Sequence, residues 1–452
     1  MKNEECRMKN YKYILYLLLP RLVMTGCSND SDDSNRARRT IMVYFNAENN
    51  LYVAAAEDLL EMVEGSKTLA SDCNLLVYFD FIDENNNPNI PTIYSLKNGN
   101  MTKVKEYSSQ DSSNPVVMLQ VFRDMMSISP ADEYATVFWG HGDGPVIANS
   151  SNGLEVSFED NEPDSYGADY NSNDVNKRTN VTYIDIPVLA SKVMKQLPKQ
   201  KFIFFDACCM QSIEVAYELR TCADYIIGAT CETPSFGAPY KTTTKYFGNA
   251  DVETASKMIV NDYQSDNNSW QYWRTNYKIN NVCMSVIKTA EMENLLTATK
   301  EALQTISYSQ ALEVATTFPM DEHEATSCIY YFKTGSSRYG RPILYDMNDV
   351  MKHNLSATEY NRWKEALNKV VIHRPNTGDI RETGNCDWFG GDIQSNLIIT
   401  TQNFRSFYLS DETFGGVSMF FPLKIYANYT NMNTRMYDYE WCRKVGWKDL
   451  GW

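Results

Sequence analysis

Lys201-Phe-Ile-Phe-Phe-Asp206-Ala-Cys208 is an apolar run that ends in a carboxylate and a thiol. Apolar residues that do not alternate with polar ones read as a strand buried on both faces, the habit of parallel sheets covered by helices. Similar runs occur upstream and downstream: Ile41-Met-Val-Tyr-Phe45, Leu75-Leu-Val-Tyr-Phe79, Ala135-Thr-Val-Phe-Trp139 and Tyr225-Ile-Ile-Gly-Ala229. Helical stretches separate them over 51–63, 115–126, 186–197 and 212–220, with Glu57, Asp58, Glu61 and Glu64 on the wet side of the first. Strand and helix in alternation predict an α/β fold with a mainly parallel central sheet and helices on both faces. Asn98-Gly99 between two short strand patterns predicts a type I′ hairpin. Beyond Thr230 the pattern turns helical over 252–262, 291–306, 311–318 and 359–369, with late strands at 395–400 and 417–421. The domain reading is therefore a core over 40–240 and a helix-rich C-terminal part over 241–452 whose extra strands return to the core.

Chemistry in such sheets collects at the C-terminal strand ends. Two ends carry it here, Val137-Phe-Trp-Gly-His141-Gly142 and Phe202-Ile-Phe-Phe-Asp206-Ala-Cys208. If the strands are neighbours, imidazole and thiol meet at one edge of the sheet. An ordinary thiol is mostly protonated at neutral pH, and a nearby imidazole makes thiolate available. Gly142 lets the backbone approach a substrate carbonyl, so its N–H and that of Cys208 are candidate oxyanion donors. A single histidine at a strand end is more often structural. Two reactive strand ends 67 positions apart reverse that expectation.

Composition bounds the rest. The 452 residues exceed one ordinary core, and 43% hydrophobic with 22% charged residues is a globular balance. A net charge of −15 argues against nucleic acid as a partner. Lys2, Arg7, Lys9 and Lys12 precede the short apolar run 13–19, and Met24-Thr-Gly-Cys27 follows. That layout is a secretory signal over 1–26, too short to span a bilayer. Cys27 after Thr25-Gly26 resembles a lipobox, which implies lipidation of its thiol, although Met24 and Pro20-Arg21 depart from the pattern. The Ser/Asp tract at 28–34 opens a flexible tether over 27–39. It resembles the surface-export signal of Bacteroidetes lipoproteins, or it is a plain linker. Nine of eleven cysteines remain in the mature chain, an odd number without a CxxC pair, which is neither a disulfide framework nor a zinc site. Four histidines leave no His-rich metal centre, and no residue is singled out as a metal ligand.

The paired strand ends resemble the signature of the caspase–gingipain–clostripain clan. Within it, Asp206-Ala-Cys-Cys-Met210 is similar to the Asp-Ala-Cys-Leu-Met of the clostripain family. Further pieces follow in family order: Ile41-Met-Val-Tyr-Phe-Asn-Ala-Glu-Asn-Asn-Leu51, Pro234-Ser-Phe-Gly237 with Ser235 in place of glycine, and Gly415-Gly-Val-Ser-Met-Phe-Phe-Pro422. The resemblance implies a caspase-like sheet and a cysteine endopeptidase that works through a Cys208/His141 dyad and cuts after Arg or Lys. Asp206 suits a basic P1 residue, since it points to the same face of the strand as the thiol; alternatively it caps the following helix. Glu232 is a second candidate for the pocket. Cys209, where the family has Leu, is an apolar filler or a second thiol. The resemblance also suggests activation by cleavage between the two strands, for which Lys177-Arg178 is the exposed basic pair, and it makes calcium possible. Expected partners are peptide substrates, with the membrane reached only through the lipid anchor, no nucleic acid and a monomeric state. The expected location is the outer membrane, surface-exposed or facing the periplasm. An alternative of another class is a surface binding lipoprotein on the same scaffold without catalysis.

Overall fold

The computed structural model describes residues 36–82, 88–145, 165–169, 181–231, 233, 237–265, 283–306, 330–334, 341–374, 414–422 and 432–450. The signal, Cys27, Glu232, Lys177, Arg178, the helix expected at 311–318 and the strand at 395–400 lie outside the described residues.

The strands are β1 (Ala37–Ala47), β2 (Cys73–Phe81), β3 (Thr92–Lys97), β4 (Asn100–Glu106), β5 (Ala131–Trp139), β6 (Tyr166–Asp169), β7 (Thr182–Ile184), β8 (Gln200–Asp206), β9 (Ala223–Ala229), β10 (Met284–Lys288), β11 (Tyr330–Thr334), β12 (Arg341–Asp346), β13 (Val371–His373) and β14 (Ser418–Phe420). Nine form one sheet in the order β13-β10-β9-β8-β5-β1-β2-β3-β4. Its five central strands, β9-β8-β5-β1-β2, are parallel throughout. Antiparallel additions close both sides, the β3–β4 hairpin on one and β10 with β13 on the other. Asn98 (φ 54°) and Gly99 (φ 78°) take the left-handed turn that the hairpin's twist demands.

The helices are α1 (Tyr52–Gly65), α2 (Pro115–Ile128), α3 (Ile186–Val188), α4 (Ile213–Leu219), α5 (Tyr240–Phe247), α6 (Val252–Ser265), α7 (Met292–Leu303), α8 (Met347–Asn354), α9 (Ala357–Val370), α10 (Met432–Met436) and α11 (Glu440–Val445). Because successive side chains of a doubly covered strand enter opposite layers, the sheet builds two cores. Met42, Tyr44, Ile203 and Phe205 face one, which α2, α4, α7, α9 and α11 cover. Ile41, Val43, Phe202 and Phe204 face the other, covered by α1, α5 and α6. The C-terminal Trp441 is thus part of the same core as the central strands.

Two expectations change. The chain is already strand at Ala37, inside the segment expected as tether, because Arg39 is fully buried with its guanidinium satisfied by Glu133 and by the carbonyls of Phe247 and Asn249. The helix expected over 186–197 is α-helical only at Ile186–Val188; it widens to a π-turn over Leu189–Val193 and tightens to 3-10 at Met194–Gln196. The wider turn brings Leu189, Ala190 and Val193 together into the core.

Candidate functional site

β5 and β8 are neighbours, in parallel register with Trp139 opposite Asp206. Gly140 N–H donates to Asp206 O at 3.3 Å, and φ of Gly140 is 148°, a conformation that glycine permits. Two residues beyond this pair stand His141 on one chain segment and Cys208 on the other. The two segments touch: a Cβ on Gly142 would lie 2.8 Å from Cys208 O and 3.1 Å from Ala207 Cβ. Only a glycine allows that approach.

His141 is held from both ends. Its carbonyl accepts from Gly167 N at 2.9 Å, and Asp143 N donates to Ser165 O at 3.2 Å, so β6 clamps the turn. In such an antiparallel bridge the hydrogen bonds come from the residues flanking Gly142, and the N–H of Gly142 itself points away from β6. The ring nitrogen His141 Nε2 lies 2.7 Å from Asn50 Oδ1. An amide oxygen only accepts, so a neutral imidazole places its proton on Nε2 and leaves Nδ1 as the acceptor. Asn50 is in turn carried by a turn that Asn49 fixes: its Nδ2 donates to Asn46 O and Ala168 O, and its Oδ1 accepts from Leu51 N.

Cys208 is half-buried, and its Sγ accepts from Thr233 N at 3.3 Å with Thr233 Oγ1 at 3.7 Å. Cys209 is fully buried in the apolar core at φ 58°, so it is a filler rather than a second thiol at the surface.

Asp206 does not cap the following helix. Ser212 does, its Oγ accepting from Val215 N at 3.1 Å. Asp206 is 4% exposed and turns to the α5–α6 side, where Oδ2 accepts from Ala238 N (2.8 Å) and Tyr240 OH (2.6 Å) and Oδ1 from Tyr263 OH (3.0 Å). A second carboxylate that the sequence reading missed stands beside it. Asp58 Oδ2 accepts from Trp139 Nε1 at 2.7 Å. A Cβ on Gly237 would sit 2.3 Å from Asp58 Oδ2 and 2.6 Å from Asp206 Oδ2, so these oxygens are within about 5 Å of each other. Burial raises the pKa of both, that of Asp58 most, with the Asp206 charge adding to it. The signal for Asp58 was its place on the helix face assigned to solvent; only the packing of α5 over α1 made it interior.

A sequence model of the clostripain family matches residues 43–451. The chain is similar to a secreted C11 cysteine protease from Bacteroides thetaiotaomicron solved with an irreversible peptide inhibitor, at 26% identity over 91% of this chain and 100% of that one, with a TM-score of 0.67. An inactive zymogen C11 protease from Parabacteroides distasonis shares the fold at a TM-score of 0.64 and 23% identity, over 91% of this chain and 98% of that one. A search among curated proteins returned no match. No helix among the described residues is long and apolar enough to cross a membrane.

Proposed function

The chain belongs to the clostripain family, and from that premise we propose that it is a secreted cysteine endopeptidase with Cys208 as nucleophile and His141 as acid–base partner. The observation that carries this reading is the register of β5 on β8, which sets His141-Gly142 against Ala207-Cys208. Thiol proton passes to His141 Nδ1 as Sγ attacks the scissile carbonyl carbon. The N–H groups of Gly142 and Cys208 receive the developing oxyanion. The imidazolium then protonates the leaving amine, and water hydrolyses the thioester. Asn50 is the positioning residue: its amide oxygen holds Nε2–H and so makes Nδ1 the acceptor for the thiol proton.

We read the P1 preference as Arg or Lys. Asp58 and Asp206 stand side by side behind the nucleophile, where burial disfavours their charged forms, and a guanidinium or ammonium would favour ionisation of the pair and be held by it. Glu232 stays a third candidate. Activation by cleavage after Lys177 or Arg178 and anchoring through lipid on Cys27 belong to the same reading. The deciding experiment is turnover of paired Arg and Leu peptide reporters by the purified mature chain. Cleavage of the Arg reporter alone supports the proposal. No cleavage of either, by a chain nicked at 177–178, leaves a binding lipoprotein instead.

A further inference from the structure

The chain crosses from β8 to α4 over residues 207–211, and this crossing carries Cys208. It passes over the end of β9: Cys209 N donates to Cys231 O and Gln211 N to Ala229 O, both at 2.9 Å. In its middle Cys209 stands at φ 58°, a left-handed conformation that a residue with a Cβ holds only where its surroundings impose it. The near end is pinned by Gly140 N on Asp206 O. The far end is Gln211.

Gln211 is 0% exposed, and its side chain reaches well beyond the crossing. Nε2 donates to Ser285 Oγ at 2.8 Å and Ser285 O at 3.0 Å on β10, with Ile226 O of β9 at 3.4 Å. Ser285 Oγ in turn donates to Gly416 O. The backbone carbonyl of Gln211 accepts from Ser418 N of β14 at 3.0 Å. A Cβ on Gly228, opposite Ser285 in the β9–β10 pair, would lie 3.1 Å from Gln211 Oε1. The glycine in the Tyr225–Ala229 strand is therefore where this amide crosses the backbone. On the other side, Met210 Sδ would lie 2.9 Å from a Cβ on Gly142, so the crossing also rests on the segment that carries His141.

We propose that Gln211 is a positioning residue for the nucleophile, an amide that fixes the Cys208 crossing onto β9, β10 and β14 and so sets where the thiol stands relative to His141. The inference rests on Cys208 as nucleophile. Gln211 itself touches neither thiol nor substrate and acts through the backbone of the crossing. A reacting group displaced by about 1 Å loses about 100-fold in rate, and a strained turn released at one end has room to make such a shift. The same bonds give the Gly415–Pro422 stretch its part in the reaction, since Gly416 and Ser418 complete the anchorage.

The test compares Gln211→Met, which keeps volume and loses the amide, with the wild-type mature chain on an Arg peptide reporter. kcat should fall about 10- to 100-fold with little change in KM. Alkylation of Cys208 by iodoacetamide, read by mass spectrometry from mildly acidic to mildly alkaline pH, should move its midpoint to higher pH. A thiol less well placed beside the imidazole ionises later. Ser285→Ala, which leaves the Ser285 carbonyl as a partner, should fall between the two in both readouts. Leu367→Ala, a core deletion in α9, controls for stability: it should lower Tm and keep the wild-type kcat and alkylation profile. Wild-type kcat with an unshifted alkylation profile in Gln211→Met overturns the proposal and leaves Gln211 a structural amide. So does a loss no larger than that of Leu367→Ala at equal Tm. Should Gln211→Met fail to fold, Ser285→Ala decides by the same two readouts. A wild type that cleaves nothing removes the cleavage reading alone; the alkylation arm, which needs no substrate, still decides the role of Gln211.

Discussion

A thiol at the end of one strand and an imidazole at the end of its neighbour act only as well as each is aimed. Cys208→Ala and His141→Ala should each reduce peptide turnover to background with Tm within about 1–2 °C of wild type, since neither side chain is a core filler. Cys209→Ala should keep most activity but lose stability, because its sulfur is packed in the apolar core. Activity persisting in Cys208→Ala, measured on a reporter peptide, removes the assignment. Asn50→Ala should lower kcat by up to about 100-fold with little change in KM, through misplacement of the ring. Its kcat–pH profile should shift as well, and Asn50→Asp should restore part of the rate; an unchanged profile means Asn50 is only structural. Behind the thiol, Asp58→Asn should cost Arg-reporter kcat/KM an amount equivalent to about 2–5 kcal/mol, as for one partner lost from a desolvated charge pair. Asp206→Asn should cost as much and lower Tm too, because Asp206 also holds Ala238, Tyr240 and Tyr263. Equal turnover of Arg and Leu reporters by the wild type refutes both.

At the scale of elements, β6 and β7 make a small antiparallel pair whose connecting segment, 170–181, contains Lys177 and Arg178. β6 clamps His141 and β7 leads into α3, so a cut between them separates the two elements without breaking either. From Gly142 through Asn176 there is no other Lys or Arg. Purified wild type should convert to two bands on a denaturing gel while Cys208→Ala stays whole. The pieces should co-elute on gel filtration, because β5 and β8 are paired strands of one sheet. An active enzyme that mass spectrometry finds intact across 177–179 refutes self-activation and leaves the dyad untouched.

The whole molecule closes around α4, where the end of the chain returns. Ser418 N donates to Gln211 O, and Arg220 forms a two-point ion pair with Glu440. Glu214 sits at this seam, fully buried, its Oε1 accepting from Phe420 N and its Oε2 without a donor. Burial pushes its carboxyl up from 4.5 to about 8. A carboxyl that is harder to ionise when folded stabilises the fold fully below the unfolded value, and that stability is lost as pH rises toward 8. The slope from this one group is at most about 1.4 kcal/mol per pH unit. Glu214→Gln keeps the acceptor for Phe420 and should flatten the fall of Tm across that window. Thermal scans of both proteins from mildly acidic to mildly alkaline pH check it; identical slopes refute it.

The sequence by itself determined the strands that are apolar on both faces, because a central parallel strand has no wet side and shows as an unbroken run. It determined the hairpin at Asn98-Gly99, where backbone chirality leaves few residue types, and the two strand ends that carry His141 and Cys208. Short strands near one side of the sheet, such as β10 and β13, were not legible, since five and three residues show no period that a helix terminus could not also produce. Nor was the partner of the imidazole. Asn50 reaches His141 across 91 positions of sequence, a contact that no local pattern encodes. The same holds for Asp58 beside Asp206. A carboxylate on a helix face reads as solvated until another helix covers it, and only the packed tertiary structure decides which charges are buried.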